Sequence, residues 1–485
     1  MKKTPFPSIL SLGFCIGTGA GLVVASGCHS LPVAPASTAA LWNPSSYPQV
    51  DGFVSSRPVP PPPPITPSVQ EPLTLDVLQA QALAANPVLQ QRLQQARQSE
   101  SRMRQAMGSW APTADLGAQA GVLQSDSSGA MSNRLTTTSF GPQASLSWLL
   151  MDFGTRSATI RAAVLDTLAA NYRFNQAFQD VLLEVHAAYY DWLGAQAVIT
   201  ASQTNLATAV TTLEAATLKE TGGLGTRLDQ LRAQTDVEQS RAQLESALAA
   251  EAAAKSRLAV AVGWPASMPM NVIRPQAKLP DESDWPEDRM GQWIEQALAQ
   301  RPDVAAARLV VQAAEQKERA VRAEQFPRLT GTVQADQTGN RYSDHTLEDL
   351  DTTDVSAQLA LSFNVFDGRV TANRIRAAAE ALEESRQRER EIELAAEKSV
   401  WDRFHELRSA IRQVGFSRAA LDSAEEAFAM TGERYRSGLC DIVFLLDGQN
   451  SLSSARKNWI TAVNNVFVAQ IRLQHSIGTL GQETP

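Results

Sequence analysis

The strongest constraint in this sequence is that it repeats itself with a constant offset of 215 residues. The register of the repeat holds from about residue 81 to residue 263 of the first copy. The matching features are QALAANP (81–87) and QALAQRP (296–302), Pro112 and Pro327, Asp152 and Asp367, IRAA at 160–163 and 375–378, and Gly263 and Gly478. We therefore predict two copies of one structural unit, 73–264 and 288–480, joined by a linker, 265–287.

The distribution of proline predicts very long helices in both copies. Of the 25 prolines, 14 lie before residue 73, and the windows 143–264 and 328–484 contain none. Both windows are rich in Ala, Leu, Gln, Glu and Arg, which favour helix. Each copy is predicted to contain, in order, a helix (about 74–108; 289–323), two strands, a very long helix (about 155–219; 370–434), a tight turn and a returning helix (about 226–262; 441–477).

The predicted strands alternate between apolar and polar residues. In TADLGAQAGV (113–122) the even positions are apolar, and the segments 139–150, 329–335 and 355–365 alternate in the same way. Alternation over about ten residues is typical of a transmembrane β-strand. A half-buried hairpin of a soluble protein gives the same pattern, so alternation by itself leaves both possibilities open.

Aromatic residues cluster at one end of each strand pair, whereas polar loops join the opposite ends. The cluster consists of Trp110, Trp148, Phe153, Phe326, Phe363 and Phe366. This distribution resembles the aromatic belt at a membrane interface. Four strands cannot close a membrane barrel, and an open sheet edge is not tolerated in lipid. The pattern therefore predicts an oligomer: a dimer would supply 8 strands around a lumen filled by side chains, whereas a trimer would supply 12 strands and leave a passage.

The N-terminus reads as an export signal followed by a tether. Lys2 and Lys3 precede an apolar, Gly-rich stretch that ends in Ala-Ser-Gly-Cys28. Small residues before a cysteine resemble a lipoprotein processing site, which predicts a signal peptide over 1–27 and a covalent lipid on Cys28. An ordinary cleaved signal peptide is the alternative. The Pro-rich segment 28–72 is predicted to be an extended tether, and 481–485 is a short tail. The lipid is the only prosthetic group expected.

Taken together, these motifs resemble the TolC-type outer membrane factor family over about residues 73–480. The resemblance rests on their order in both copies: ALAANP and ALAQRPDV, WAP and QFPRL before the strands, LMDFG and VFDGR after them, and RYRSGLCDIVFLLDGQNSL. It implies an α+β membrane protein: a homotrimer with a 12-stranded β-barrel in the outer membrane, continuous with a long periplasmic α-helical barrel. The implied partners are outer membrane lipid, a periplasmic adaptor protein and an inner-membrane pump of the RND type.

The resemblance also assigns roles to the two helix turns. They are implied to lie at the periplasmic end and to contact the adaptor through Gly222, Gly223, Leu224, Gly225, Ser437, Gly438, Leu439 and Cys440. A gate is implied at Val443, Asp447 and Asn450. Relatives carry an Arg at the position of Asn450, so the family's Asp–Arg link cannot form at this pair. Three copies of Asp447 would make a negative constriction that favours cations. Alternatively, Asp447 is a solvated helix residue.

Other functions find little support in the sequence. The five histidines show no metal-ligand spacing, and TGGLG lacks the Lys of a phosphate-binding loop. No catalytic constellation is evident, so an enzyme is not expected. The net charge of −8 without a basic block argues against nucleic-acid binding. We expect a passive outer membrane duct of a tripartite efflux system. The alternatives are the outlet of a type I protein secretion system and a lipid-tethered periplasmic coiled-coil scaffold without a pore.

Overall fold

The computed structural model describes residues 33–39, 41–43, 73–127, 133–273, 278–342 and 348–481. The predicted signal peptide, Cys28 and most of the Pro-rich tether lie outside the described residues. Eight α-helices and four strands follow one another in these segments. Their bounds are α1 Leu75–Ala85, α2 Pro87–Gly108, β1 Thr113–Ser127, β2 Asn133–Met151, α3 Thr155–Thr221, α4 Arg227–Val262, α5 Met290–Gln300, α6 Pro302–Ala323, β3 Arg328–Tyr342, β4 Leu350–Ser362, α7 Val370–Arg436 and α8 Ile442–Ile477.

The helices of the two halves correspond residue for residue. Each of α1 to α4 begins and ends 215 positions before its counterpart among α5 to α8. Both long helices, α3 and α7, contain 67 residues, which corresponds to roughly 100 Å at 1.5 Å per residue. Each turns back into a helix of 36 residues. The chain thus forms two long helical hairpins of equal length.

The first helix of each half is broken, which corrects our prediction of continuous helices over 74–108 and 289–323. The break falls at Asn86 and at Arg301, and each residue is extended because a proline follows it. Asn86 is buried, caps α2 through Val88 N at 2.8 Å, and donates to Ala261 O at 2.8 Å. The Arg301 guanidinium donates instead to Ser476 O, the residue equivalent to Ala261. Each break is therefore held by the end of the returning helix.

The four strands form one antiparallel sheet in the order β1-β2-β3-β4. Its register carries apolar residues across all four strands in one row: Leu116, Ala144, Ala335 and Val355. The adjacent row is polar: Asp115, Ser145, Gln334 and Ser356. Leu116 and Val355 are 89% and 74% exposed. Because side chains alternate between faces, one face of the sheet is apolar and the other polar.

Helix α3 is the central element of the helical part. It packs against α2, α4, α6 and α8, while α7 packs against α6 and α8. The largest core cluster lies midway along α3 and includes Phe174, Tyr189 and Trp192. A second cluster surrounds Phe404 on α7 and includes Leu473. Among the described residues, none of the helices is both long and apolar enough to cross a bilayer.

Part of the segment predicted to be a tether is docked on the helices. Ala34 N donates to Glu100 Oε2 at 2.9 Å, and the Arg97 guanidinium donates to Ala36 O at 2.9 Å. Asn175 on α3 makes two 2.8 Å hydrogen bonds, to the backbone N and O of Trp42. We call residues 33–39 and 41–43 the strap. The prediction of an extended tether over 28–72 did not include this docking. Composition alone does not reveal that α2 and α3 present hydrogen-bonding partners for the strap.

Candidate functional site

The six aromatic residues singled out in the sequence are exposed and lie where the sheet meets the helices. Trp148 Nε1 donates to Trp110 O at 3.0 Å. The rings of Phe153 and Phe326, which belong to different halves, lie 5.9 Å apart between centroids. Phe363 and Phe366 follow the end of β4 and are also exposed. The fold thus collects aromatic side chains from both halves at one end of the sheet.

A buried arginine joins the sheet to the helices at this end in the first half. Arg156 and Asp152 are both buried, and Arg156 Nε lies 3.3 Å from Asp152 Oδ2. The guanidinium donates to Ser109 O and Leu150 O, each at 3.3 Å, and stacks 4.3 Å from the Trp110 ring centroid. One side chain therefore ties together the end of α2, the end of β2 and the start of α3.

At the far end of the long hairpins, both helix turns use a left-handed glycine. Gly223 has φ 73° and Gly438 has φ 76°, a conformation that costs glycine little. The residues that follow these glycines, Leu224 and Leu439, are 86% and 71% exposed. Each turn therefore carries one largely exposed leucine at its apex. We call these two turns, 222–225 and 437–440, the tips.

The two hairpins are joined close to their tips. Lys219 Nζ, near the end of α3, donates to the backbone O of Tyr435 near the end of α7. The same ammonium lies 3.8 Å from the centroid of the Tyr435 ring, a cation–π contact. Tyr435 is buried in a small core together with Ala216, Ala233 and Ile442. The first and second halves thus share one hydrophobic core at the tip end.

A buried hydrogen bond joins the returning helices, α4 and α8, next to this small core on the side away from the tips. Gln449 Nε2 on α8 donates to Asp236 Oδ2 on α4 at 2.7 Å, and Asp236 is 5% exposed. Thr212 on α3 donates to Gln449 Oε1 at 3.4 Å. Burial raises the pKa of the Asp236 carboxyl, while the bond from Gln449 lowers it less.

The residues assigned to a gate lie on one exposed face of α8. Val443, Asp447 and Asn450 are spaced i, i+4 and i+7, and all three are exposed. Asn450 provides no cation, and in the described part of the chain Asp447 makes no ion pair. The structure brings these three side chains together on a single stripe, beside the buried face that carries Gln449.

Several residues of this region were not singled out by sequence reasoning. Lys219, Tyr435 and Asp236 are ordinary helix residues in sequence, and Asn175 lies within an Ala-rich stretch. The only available signal was a polar residue at a position of apolar periodicity, which Asp236 and Asn175 share. Their roles depend on contacts across 213 and 133 positions.

Comparison with protein families gives a match to both halves of the chain. The model of the outer membrane efflux protein family matches residues 78–264 and 293–479. Among curated relatives, Protein CyaE of Bordetella pertussis is 27% identical over 342 residues, covering 70% of each chain. The pyoverdine export outer membrane protein OpmQ of Pseudomonas aeruginosa is 27% identical over 369 residues, covering 75% of each chain.

The same architecture occurs in solved structures. The outer-membrane channel OprN superposes with a TM-score of 0.73 at 20% identity, covering 84% of this chain and 90% of that one. Because the sequence identity is only 20%, this structural similarity shows the fold alone.

Proposed function

Since the chain belongs to the outer membrane efflux protein family, we propose that three copies form a passive duct that carries small molecules out of the cell through the outer membrane. Each copy would contribute four strands to a closed 12-stranded barrel and two helical hairpins to a tube beneath it. No catalytic chemistry is required, because the duct only provides a path. A pump elsewhere in the assembly supplies the energy.

The sheet is the observation that carries this proposal. Among the residues that the structure describes, β1 and β4 each pair with one neighbour only, so each leaves an edge of unpaired backbone groups. The sheet also has one apolar face whose leucines and valines are exposed. Lipid on that face and a partner strand on each edge satisfy both features at once. A ring of three sheets does this without a free edge.

The position of the strap supports a lipid anchor at Cys28. The strap runs antiparallel to α2, since Ala34 contacts Glu100 and Thr38 contacts Gln90. Its N-terminal end therefore points toward the sheet. The end of α2 lies roughly 12 Å beyond Glu100, while six extended residues reach at most roughly 20 Å from Ala34. An acyl chain on Cys28 could thus enter the bilayer at the level of the aromatic cluster.

The tips support docking of a periplasmic adaptor protein. Leu224 and Leu439 project from equivalent turns at the end farthest from the sheet. Three copies would display six such apolar side chains around one opening. We propose that an adaptor covers them and couples the duct to an inner-membrane pump of the RND type. Export of a small molecule is favoured because the relative OpmQ is named for pyoverdine export.

Conductance and mass measurements test the duct directly. Purified protein in detergent should have the mass of a trimer and should produce single-channel currents in planar bilayers. A lipid-tethered scaffold without a pore predicts neither result, and absence of both would refute the duct. In cells, Cys28→Ser should abolish incorporation of labelled palmitate while the mature chain is still exported. Incorporation that persists in this variant would refute the anchor but not the duct.

A further inference from the structure

A cavity of about 720 Å³ lies along α6, in the part of the helical region nearer the sheet. Its floor is a stripe of small apolar residues on α6, namely Ala306, Ala307, Val310 and Ala314. Residues of α3 and α7 form its two walls, and α2 contributes at one end. A cavity of this volume with an apolar floor can hold a small organic molecule.

The cavity opens on the side of α3 that faces away from the hydrophobic core. Arg173, Gln176 and Asp180 line the cavity at positions i, i+3 and i+7, so they share one face of the helix. Phe174 and Phe178 point to the other side, where they belong to the core that includes α1 and contacts Trp42 of the strap. Because α1 and the strap would obstruct the interior of a duct, they lie outside it, and the cavity faces the interior.

Three arginines of the cavity lack a carboxylate partner in the part of the chain that the structure describes: Arg92 on α2, Arg173 on α3 and Arg388 on α7. All three are exposed. The guanidinium of Arg92 bonds the side chain of Gln95, which is neutral. The residues three and four positions from Arg173 are alanines and a glutamine, so its own helix offers it no acid. These guanidinium groups keep donors available for a ligand.

Most of the other charged groups in the lining are already paired. The pairs are Asp180 with His475 at 2.8 Å, Asp303 with Arg301 at 2.7 Å, Glu389 with Arg308 at 3.7 Å and Lys317 with Asp166 at 2.9 Å. Within the described segments, Glu384 is the lining acid without a partner, one helical turn before Arg388. The unpaired groups are thus three guanidinium groups and one carboxylate, which leaves an excess of positive charge.

We propose that this cavity is a site inside the duct that binds organic anions with an apolar body, and that the exported molecules include this class. This inference rests on the proposed function, because a closed ring of helices is what makes the cavity part of the export path. Arg173 and Arg388, on opposite walls, donate charge-assisted hydrogen bonds to a carboxylate. The apolar body of the ligand lies on the alanines and valine of α6. Three copies of the chain would supply three such sites around the interior.

Binding of 2-naphthoate to the purified trimer in a neutral detergent, measured by titration calorimetry, tests the site. Arg173→Gln combined with Arg388→Gln should weaken this binding roughly ten-fold or more, because charge-assisted hydrogen bonds are lost. Wild type should also prefer 2-naphthoate to 2-naphthylmethylammonium, which has the same rings and the opposite charge. The matched control is Arg390→Gln. Arg390 lies on α7 outside the lining, 3.6 Å from Glu393, so its replacement should leave the affinity unchanged.

Thiol labelling tests whether the cavity faces the interior. In a Cys440→Ser background, Arg173→Cys should react with a negatively charged methanethiosulfonate. The reversal potential across a KCl gradient should then shift toward cation selectivity, whereas the Cys440→Ser parent should show no shift.

Two results would overturn this inference and leave the duct standing, in a protein that is trimeric and conducts normally. One is 2-naphthoate binding that is absent, no tighter than that of the cation, or unaffected by the paired arginine substitutions. The other is labelling of Arg173→Cys without a change in selectivity. A wild-type protein that is neither trimeric nor conducting would overturn both the inference and the duct.

Discussion

Gln449 on α8 donates a hydrogen bond to the buried Asp236 carboxylate on α4, and this bond joins the two halves of the chain near the tips. The two residues are 213 positions apart, so the bond spans the repeat. A buried carboxylate with a single neutral donor is only partly compensated for its lost hydration. This contact therefore holds the hairpins in place while making their stability depend on pH.

The pKa of Asp236 is raised by burial, which fixes the sign of that dependence. Folding takes up a proton between the unfolded pKa, about 3.9, and the higher folded value. The contribution of this group to stability is therefore complete below about 3.9 and is lost as the pH rises through the folded pKa. Asp236→Asn, which is neutral throughout, should be more stable than wild type at pH 7 by about 1 kcal/mol.

This prediction is checked by thermal unfolding of the detergent-solubilised protein across a pH series. The advantage of Asp236→Asn should shrink on acidification and vanish near the unfolded pKa. Asp422→Asn is the control, because Asp422 is exposed and pairs with Arg418 within one helix. A variant at Asp236 that is less stable than wild type at pH 7 would mean that the charged hydrogen bond outweighs the cost of burial.

Arg156 should be required for joining the sheet to the helices. Arg156→Ala leaves Asp152 buried without its cation and removes the donors to Ser109 O and Leu150 O. Breaking a buried ion pair in this way costs about 3–5 kcal/mol. Arg156→Lys should rescue only part of the loss, since an ammonium cannot reach both carbonyls and stack on Trp110. The readout is the unfolding temperature, with Arg161→Ala, an exposed arginine on the same helix, as the control.

The strap should detach when its anchoring amide is removed. Asn175→Ala eliminates both hydrogen bonds to Trp42. Together these bonds contribute about 2 kcal/mol. Their loss should raise the equilibrium constant for detachment of the strap by roughly 30-fold. Hydrogen exchange measured by mass spectrometry should accelerate in the strap and remain unchanged at the tips. Gln176→Ala is the matched control, because within the described segments Gln176 bonds only Asp180, on the same helix. Equal protection in both variants would show that Asn175 does not hold the strap.

Gly438, in the second tip, should be required because of its backbone conformation and not because a side chain would clash there. A Cβ at Gly438 would meet no atom within 4 Å, yet its φ is 76°, so Gly438→Ala should cost about 1 kcal/mol from strain. Gly415 also has open space around a Cβ but lies inside α7. Gly415→Ala should therefore stabilise the chain by about 0.5–1 kcal/mol. Denaturation midpoints that move in the same direction for both variants would contradict this account.

The sequence by itself determined most elements of this protein and their order, although we predicted one continuous helix at the start of each half where the structure has two. The offset of 215 predicted two equivalent halves, and the proline-free windows allowed the long helices. The bounds predicted for these helices, about 155–219 and 370–434, lie within two residues of those of α3 and α7. Alternation predicted which strand residues share a face. These features follow from local rules, because helix and strand periodicities and the exclusion of proline act over a few neighbouring residues.

The tertiary structure decided how the two halves meet. Two contacts join the halves: Lys219 bonds Tyr435, and Gln449 bonds Asp236. A third contact, from Asn175 to Trp42, holds the strap on α3. All three join residues that are distant in sequence. The local pattern marks Asp236 and Asn175 only as polar residues at positions of apolar periodicity, and it does not identify the partner of any of these residues. Their partners are fixed only when the hairpins pack side by side, since burial then requires each polar group to find a hydrogen-bonding partner. The helix breaks at Asn86 and Arg301 also depend on tertiary contacts, because each is held by the end of a returning helix.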